Sequence, residues 1–144
     1  MSKAERLSGI GFVLAGSWVL DATGRIRLGD LEGRPCSRGF RMPDGPGVYL
    51  FTADSAIGYI GETGGPFRAR MRAYDGWFGK AKRPRNYFYT DVETALRAGR
   101  EVLIYTHTMP DASKADREQR EYELISRMKP LWNGGKFARI RTGA

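Results

Sequence analysis

Cysteine and histidine are nearly missing from this chain: Cys36 and His107 each stand alone. A single thiol excludes an internal disulfide, and no Cys/His spacing outlines a zinc site, so the sequence suits a reducing compartment and points to the cytoplasm. Long hydrophobic runs are missing too. The stretch from Leu7 to Leu20 is interrupted by Gly9, Gly11, Gly16 and Ser17 and is too short to cross a bilayer, which argues against a signal peptide or a membrane span. There are no internal repeats and no low-complexity tracts.

Acidic residues are also in deficit. Sixteen face twenty-four basic ones, giving a net charge of +8 and a pI near 9.9, and that balance favours a polyanionic partner because neutralised phosphates release their condensed counterions. The charge is concentrated. Between Gly65 and Arg100 lie nine basic residues and three acidic ones, a net +6. At 144 residues, with 41% hydrophobic residues, the chain is long enough for one domain with a core of its own.

Two hairpins are expected. Phe12–Leu20 and Arg25–Leu28 flank the turn residues Asp21-Ala22-Thr23-Gly24, and Val48–Thr52 and Ile57–Gly61 flank Ala53-Asp54-Ser55-Ala56. Alternation along the second hairpin puts Tyr49 and Phe51 on one face, and pairs Ile57 with Tyr59 on a shared face of the other strand. A Gly/Pro-rich loop spans Gly33 to Gly47. The next helix should begin at Pro66, with Phe67, Met71, Tyr74 and Phe78 as its apolar stripe. Arg70 lies about 60° from the centre of that stripe and Arg72 on the far side, at roughly 100° per residue. Thr90 and Glu93 resemble a capping box opening a short helix to about Ala98, followed by a strand over Val102–Thr108. The last helix is expected from Ser113 to Met128, ending before Pro130, with Tyr122, Ile125 and Met128 buried and Glu121 at the border.

Two short strings carry most of the functional information: Gly47-Val48-Tyr49 and, nine residues later, Tyr59-Ile60-Gly61. Downstream stand Arg70 and then Glu121, Leu124, Ile125, Pro130 and Asn133. In this order and spacing the chain resembles the GIY-YIG nuclease superfamily over Gly47 to Asn133. The resemblance implies an α+β fold, a small three-stranded antiparallel sheet flanked by helices, here with an N-terminal β-hairpin extension. On that reading residues 1–46 form the extension, 47–133 the catalytic core and 134–144 a basic tail.

The activity implied is endonucleolytic hydrolysis of a nucleic-acid backbone, DNA first, single- or double-stranded, with one divalent cation, Mg²⁺ with Mn²⁺ as substitute. Glu121 is the implied metal ligand, which suits a hard cation that keeps several waters. Arg70 is expected to stabilise the transition state, since its guanidinium stays charged and its fork matches phosphate oxygens. By family analogy Tyr49 is the general base, Tyr59 orients the water or phosphate, Tyr74 completes the helix signature and Asn133 pins the last segment. A phenol acting as a base at neutral pH needs its pKa lowered by roughly 3 units, about 4 kcal/mol. Glu62 follows Gly61 where relatives often carry lysine, so activation of the tyrosine would fall to another group such as Lys80 or Lys82. Arg68, Arg72, Lys80, Lys82, Arg83, Arg85 and Lys136 are the expected nucleic-acid contacts, with Tyr87, Phe88 and Tyr89 as stacking surfaces.

Taken one at a time these residues have ordinary uses. Two hairpin tyrosines often pack across strands, an arginine or a glutamate on a helix is commonly solvated, and Pro130 with Asn133 can serve as a helix stop and turn. Two other functional classes therefore stay open: a non-catalytic nucleic-acid-binding module of the same fold, and an RNA-directed nuclease.

Overall fold

The computed structural model describes residues 2–37, 40–80 and 88–134. Its elements are α1 (Lys3–Gly9), β1 (Val13–Leu20), β2 (Ile26–Gly29), β3 (Gly47–Ala53), β4 (Ala56–Thr63), α2 (Phe67–Trp77), α3 (Phe88–Arg97), β5 (Val102–Thr108) and α4 (Lys114–Met128). The strands form one antiparallel sheet in the order β2-β1-β5-β3-β4. The class is α+β, but the sheet has five strands rather than the three expected. The difference arises at β5, which pairs with β3 on one side and with β1 on the other, so the first hairpin continues the sheet. No helix among the described residues is long and apolar enough to cross a membrane.

Helices cover both faces of the sheet. On one, Trp18, Tyr49, Phe51 and Ile104 pack with Phe67, Met71 and Tyr74 of α2 and Phe88, Tyr89 and Val92 of α3. On the other, Val48, Leu50, Ile60 and Tyr105 pack with Leu7 of α1 and Leu124 and Ile125 of α4. Every residue of β3 is buried, as befits a strand that alternates between two covered faces.

Four local expectations shift. In β4 the register with β3 runs Phe51↔Tyr59 and then Thr52↔Ile57, leaving Gly58 as an extra residue. This bulge sends Ile57 to the face opposite Tyr59, against simple alternation. A side chain at Gly58 would run into the Trp132 ring, so the bulge is glycine-specific. Pro66 takes the N-cap with extended ψ 139°, one position before the helix it opens. In α3, Phe88 and Tyr89 lie inside the first turn, ahead of Thr90, because burial of both rings starts the helix earlier than a cap at Thr90 would. They are core residues and unavailable for stacking on bases.

In α4 the N-terminus follows expectation. Ser113 Oγ accepts from the Asp116 N–H at 3.1 Å and Asp116 Oδ2 from the Ser113 N–H at 3.2 Å. Its buried face is partly different: Ile125 is buried and Met128 partly so, as expected, but Glu121 and Leu124 also point inward, whereas Tyr122 is 45% exposed. Packing on β4 and β3 rotates the helix so that Glu121 comes inside with the leucine one turn on.

Candidate active site

The site is built where α2 and α4 meet β3 and β4. Tyr49 projects from β3 onto the face covered by α2, and its ring lies over Gly61 across the ladder. A Cβ at Gly61 would stand 2.6 Å from Tyr49 Cζ, which explains why the second string ends in glycine. Gly47 is constrained in a similar way, since a side chain there would collide with the His107 carbonyl of the neighbouring strand.

Four of the expected side chains come together here, and a fifth, Glu121, acts on Tyr59 from α4. The Tyr49 and Tyr74 hydroxyls are hydrogen-bonded to each other, and Arg70 lies one turn before Tyr74 on α2, where both phenols act on its guanidinium. The Tyr59 ring centroid lies 6.3 Å from that of Tyr49. Phe88 closes the back of the cluster, its ring 4.7 Å from both Tyr59 and Tyr74. Glu121 joins from α4, only 6% exposed, and its charge acts on Tyr59.

Burial dominates the electrostatics. It pushes the Tyr49 phenol well above its ordinary value, with Tyr74 and Tyr59 adding to the shift and Arg70 pulling it back. Tyr59 is raised for the same reason, helped by Tyr74 and by negative Glu121. Desolvation of Arg70 favours its neutral form, but Tyr49, the hydrogen bond to Tyr74 and Glu62 outweigh it and hold the pKa above the normal guanidinium value. Burial thus holds Tyr49 and Tyr59 in the neutral form beside the Arg70 cation, while Glu121 of α4 acts on Tyr59 through its charge.

Asn133 is placed differently. It is completely buried, its Oδ1 accepting from the Ile60 N–H and its Nδ2 donating to the Ile60 carbonyl, both at 2.9 Å. With the bonds from Leu131 N to Ile57 O and Trp132 N to Gly58 O, it ties the segment after α4 along the open edge of β4. Arg68 is half-buried beside Arg41 and Asp44 in a shallow groove. Arg72 and Lys80 are exposed, and Lys80 lines a separate cleft with Thr23, Gly24 and Arg97. Lys82, Arg83, Arg85 and Lys136, together with Tyr87, lie outside the described residues. His107 packs edge-on against Phe12.

One participant was missed in the sequence. Arg117 Nε lies 3.1 Å from Glu62 Oε2, with both side chains largely buried, 11% and 19% exposed. The available signal was its position four residues before Glu121, which places both on one face of α4.

No protein-family model matches the chain, and no curated protein does. Among solved structures it is similar to EndoII of bacteriophage T4, determined as a glutamate-to-alanine mutant. The TM-score is 0.65, over 92% of this chain and 99% of the EndoII chain. The two chains share a fold. Sequence identity is 17%, so the likeness to EndoII concerns architecture, and residue roles must be argued from the side chains themselves.

Proposed function

We propose that this chain is a metal-dependent endonuclease that hydrolyses phosphodiester bonds in DNA. The observation that carries this reading is the packing of Tyr49, Tyr59 and Tyr74 into one cluster with Arg70 a turn away on α2, with the buried Glu121 of α4 acting on Tyr59. The fold shared with a phage protein named EndoII supports it.

Glu121 is the residue that would hold the cation. A carboxylate oxygen is a hard donor and suits an ion such as Mg²⁺ or Mn²⁺. Such an ion takes one carboxylate and completes its shell with water and substrate. Once bound it would supply Lewis-acid polarisation of a phosphoryl oxygen. Arg70, half-buried one turn before Tyr74, presents its N–H groups to the phosphate and stabilises the charge that grows in the transition state. Tyr49 is protonated at neutral pH in the free protein, because burial acts against ionisation. Its first role is accordingly to orient by hydrogen bonding, with Tyr74 as its partner. Tyr59 fixes the water or the phosphate from the adjacent strand.

The test is cleavage of labelled duplex DNA, single-stranded DNA and RNA by purified protein, with Mg²⁺ and with chelator, beside Glu121→Ala. Cutting of DNA that disappears with chelator and with Glu121→Ala is expected. Cutting that survives both removes the metal role. Binding without cutting would assign a non-catalytic nucleic-acid-binding module, and preferential cutting of RNA an RNA-directed enzyme.

A further inference from the structure

Glu62 and Arg117 form an ion pair next to the tyrosine cluster, and the arginine is only partly used by it. Its Nε faces Glu62 and its Nη1 donates to the Ala112 carbonyl at 3.0 Å. Among the described residues Nη2 has no acceptor, and it is not among the buried polar atoms without a partner, so it reaches solvent. It sits against Gly64, with Nη2 2.9 Å from where a Cβ on that glycine would stand. Gly64 follows β4 directly, three residues beyond the glycine over which Tyr49 packs.

We infer that Arg117 is a substrate-binding residue of the same site, with Nη2 receiving a backbone phosphate of the nucleic acid in the space left open at Gly64. This rests on the nuclease reading given above and names a contact within it. Glu62 and the Ala112 carbonyl fix two edges of the guanidinium, so the third is presented without the rotamer freedom an exposed arginine would lose on binding. An acid following Gly61, where a basic residue would suit phosphate better, then has a purpose: it holds in place a cation delivered from α4. Gly64 contributes by lacking a side chain.

The experiment uses a neutral exchange, Glu62→Gln with Arg117→Gln, which leaves the net charge of +8 unchanged and allows an amide–amide hydrogen bond in place of the ion pair. Binding to labelled duplex and single-stranded DNA is measured in chelator across a salt series. The double variant should bind about tenfold more weakly at low salt, and the slope of log K against log salt should fall by about one, the loss of a single phosphate contact. In cleavage assays KM should rise while kcat holds. A purely structural pair would alter melting and leave the slope intact. An unchanged slope with wild-type melting overturns the contact while the nuclease reading stands. If the wild-type chain binds neither DNA, both fall. Should the double variant fail to fold, Gly64→Ala decides: its methyl meets only the far end of Arg117. It should reduce affinity and slope as the double variant does, and wild-type binding by Gly64→Ala overturns the proposal.

Discussion

Removing the Asn133 side chain tests how the last segment supports the site. In Asn133→Ala both amide bonds to Ile60 vanish, stranding an N–H and a C=O on an edge strand in a fully buried place. Each unsatisfied group costs about 1–3 kcal/mol, and partial access of water as the segment loosens reduces the sum, so a loss of about 2–5 kcal/mol is expected. Urea unfolding followed by circular dichroism measures it, with an unchanged m-value confirming that the difference is stability. Trp132, next in the chain and packed at Gly58, offers a local fluorescence probe. Asn133→Asp should be at least as costly, since a carboxylate still accepts from the Ile60 N–H but faces its carbonyl with no proton to donate. Cleavage should fall only as far as the folded fraction falls. A destabilisation under about 1 kcal/mol would refute the edge-pinning argument, and loss of cleavage in a fully folded Asn133→Ala protein would make the amide part of the chemistry.

Gly61→Ala should destabilise by about 1–3 kcal/mol through its collision with Tyr49, and the combination with Tyr49→Leu should cost less than the sum of the two in a thermal-melt cycle. Because Tyr49 and Tyr59 are raised in the folded state, stability should be complete below about pH 10, the value in the unfolded chain, and fall above it as that chain ionises first. The slope is about 1.4 kcal/mol per pH unit for each tyrosine, and a flat urea-melt profile up to pH 11 would count against the burial-driven shift. Asp75→Ala removes the acceptor for the Leu28 N–H, 2.9 Å away at the β2 edge. Hydrogen exchange at Leu28 should accelerate, with a stability loss of about 1–2 kcal/mol; unchanged protection would show that other contacts hold that edge.

Much of the architecture was legible because it is local. The Phe67, Met71, Tyr74 and Phe78 stripe has a helical period, and all four residues are buried in the structure. Both turns between paired strands were readable from their residues. At Asp21 the carboxylate accepts from the Thr23 and Arg25 N–H groups at 2.9 and 3.0 Å, and at Asp54 the backbone adopts a positive φ of 51°. The two glycine-tyrosine strings could be recognised by spacing, but the reasons for their glycines, the Tyr49 ring and the His107 carbonyl, belong to neighbours distant in the chain.

The sequence by itself determined the five strand segments, the helices α2 and α4, the basic balance and the order of the tyrosines, arginine and glutamate, because each depends on composition or short-range period, whereas α1 was not among the expected elements. Tertiary structure alone decided that β5 sits between β1 and β3, since an alternating strand has the same pattern whichever partner it takes. It also decided the Gly58 bulge that turns Ile57 over, the inclusion of Phe88 and Tyr89 in α3 ahead of Thr90, and the inward rotation of Glu121. Each of these is settled by packing between segments far apart in sequence, where burial outweighs a local preference of a few tenths of a kcal/mol per residue, a rough scale for propensity.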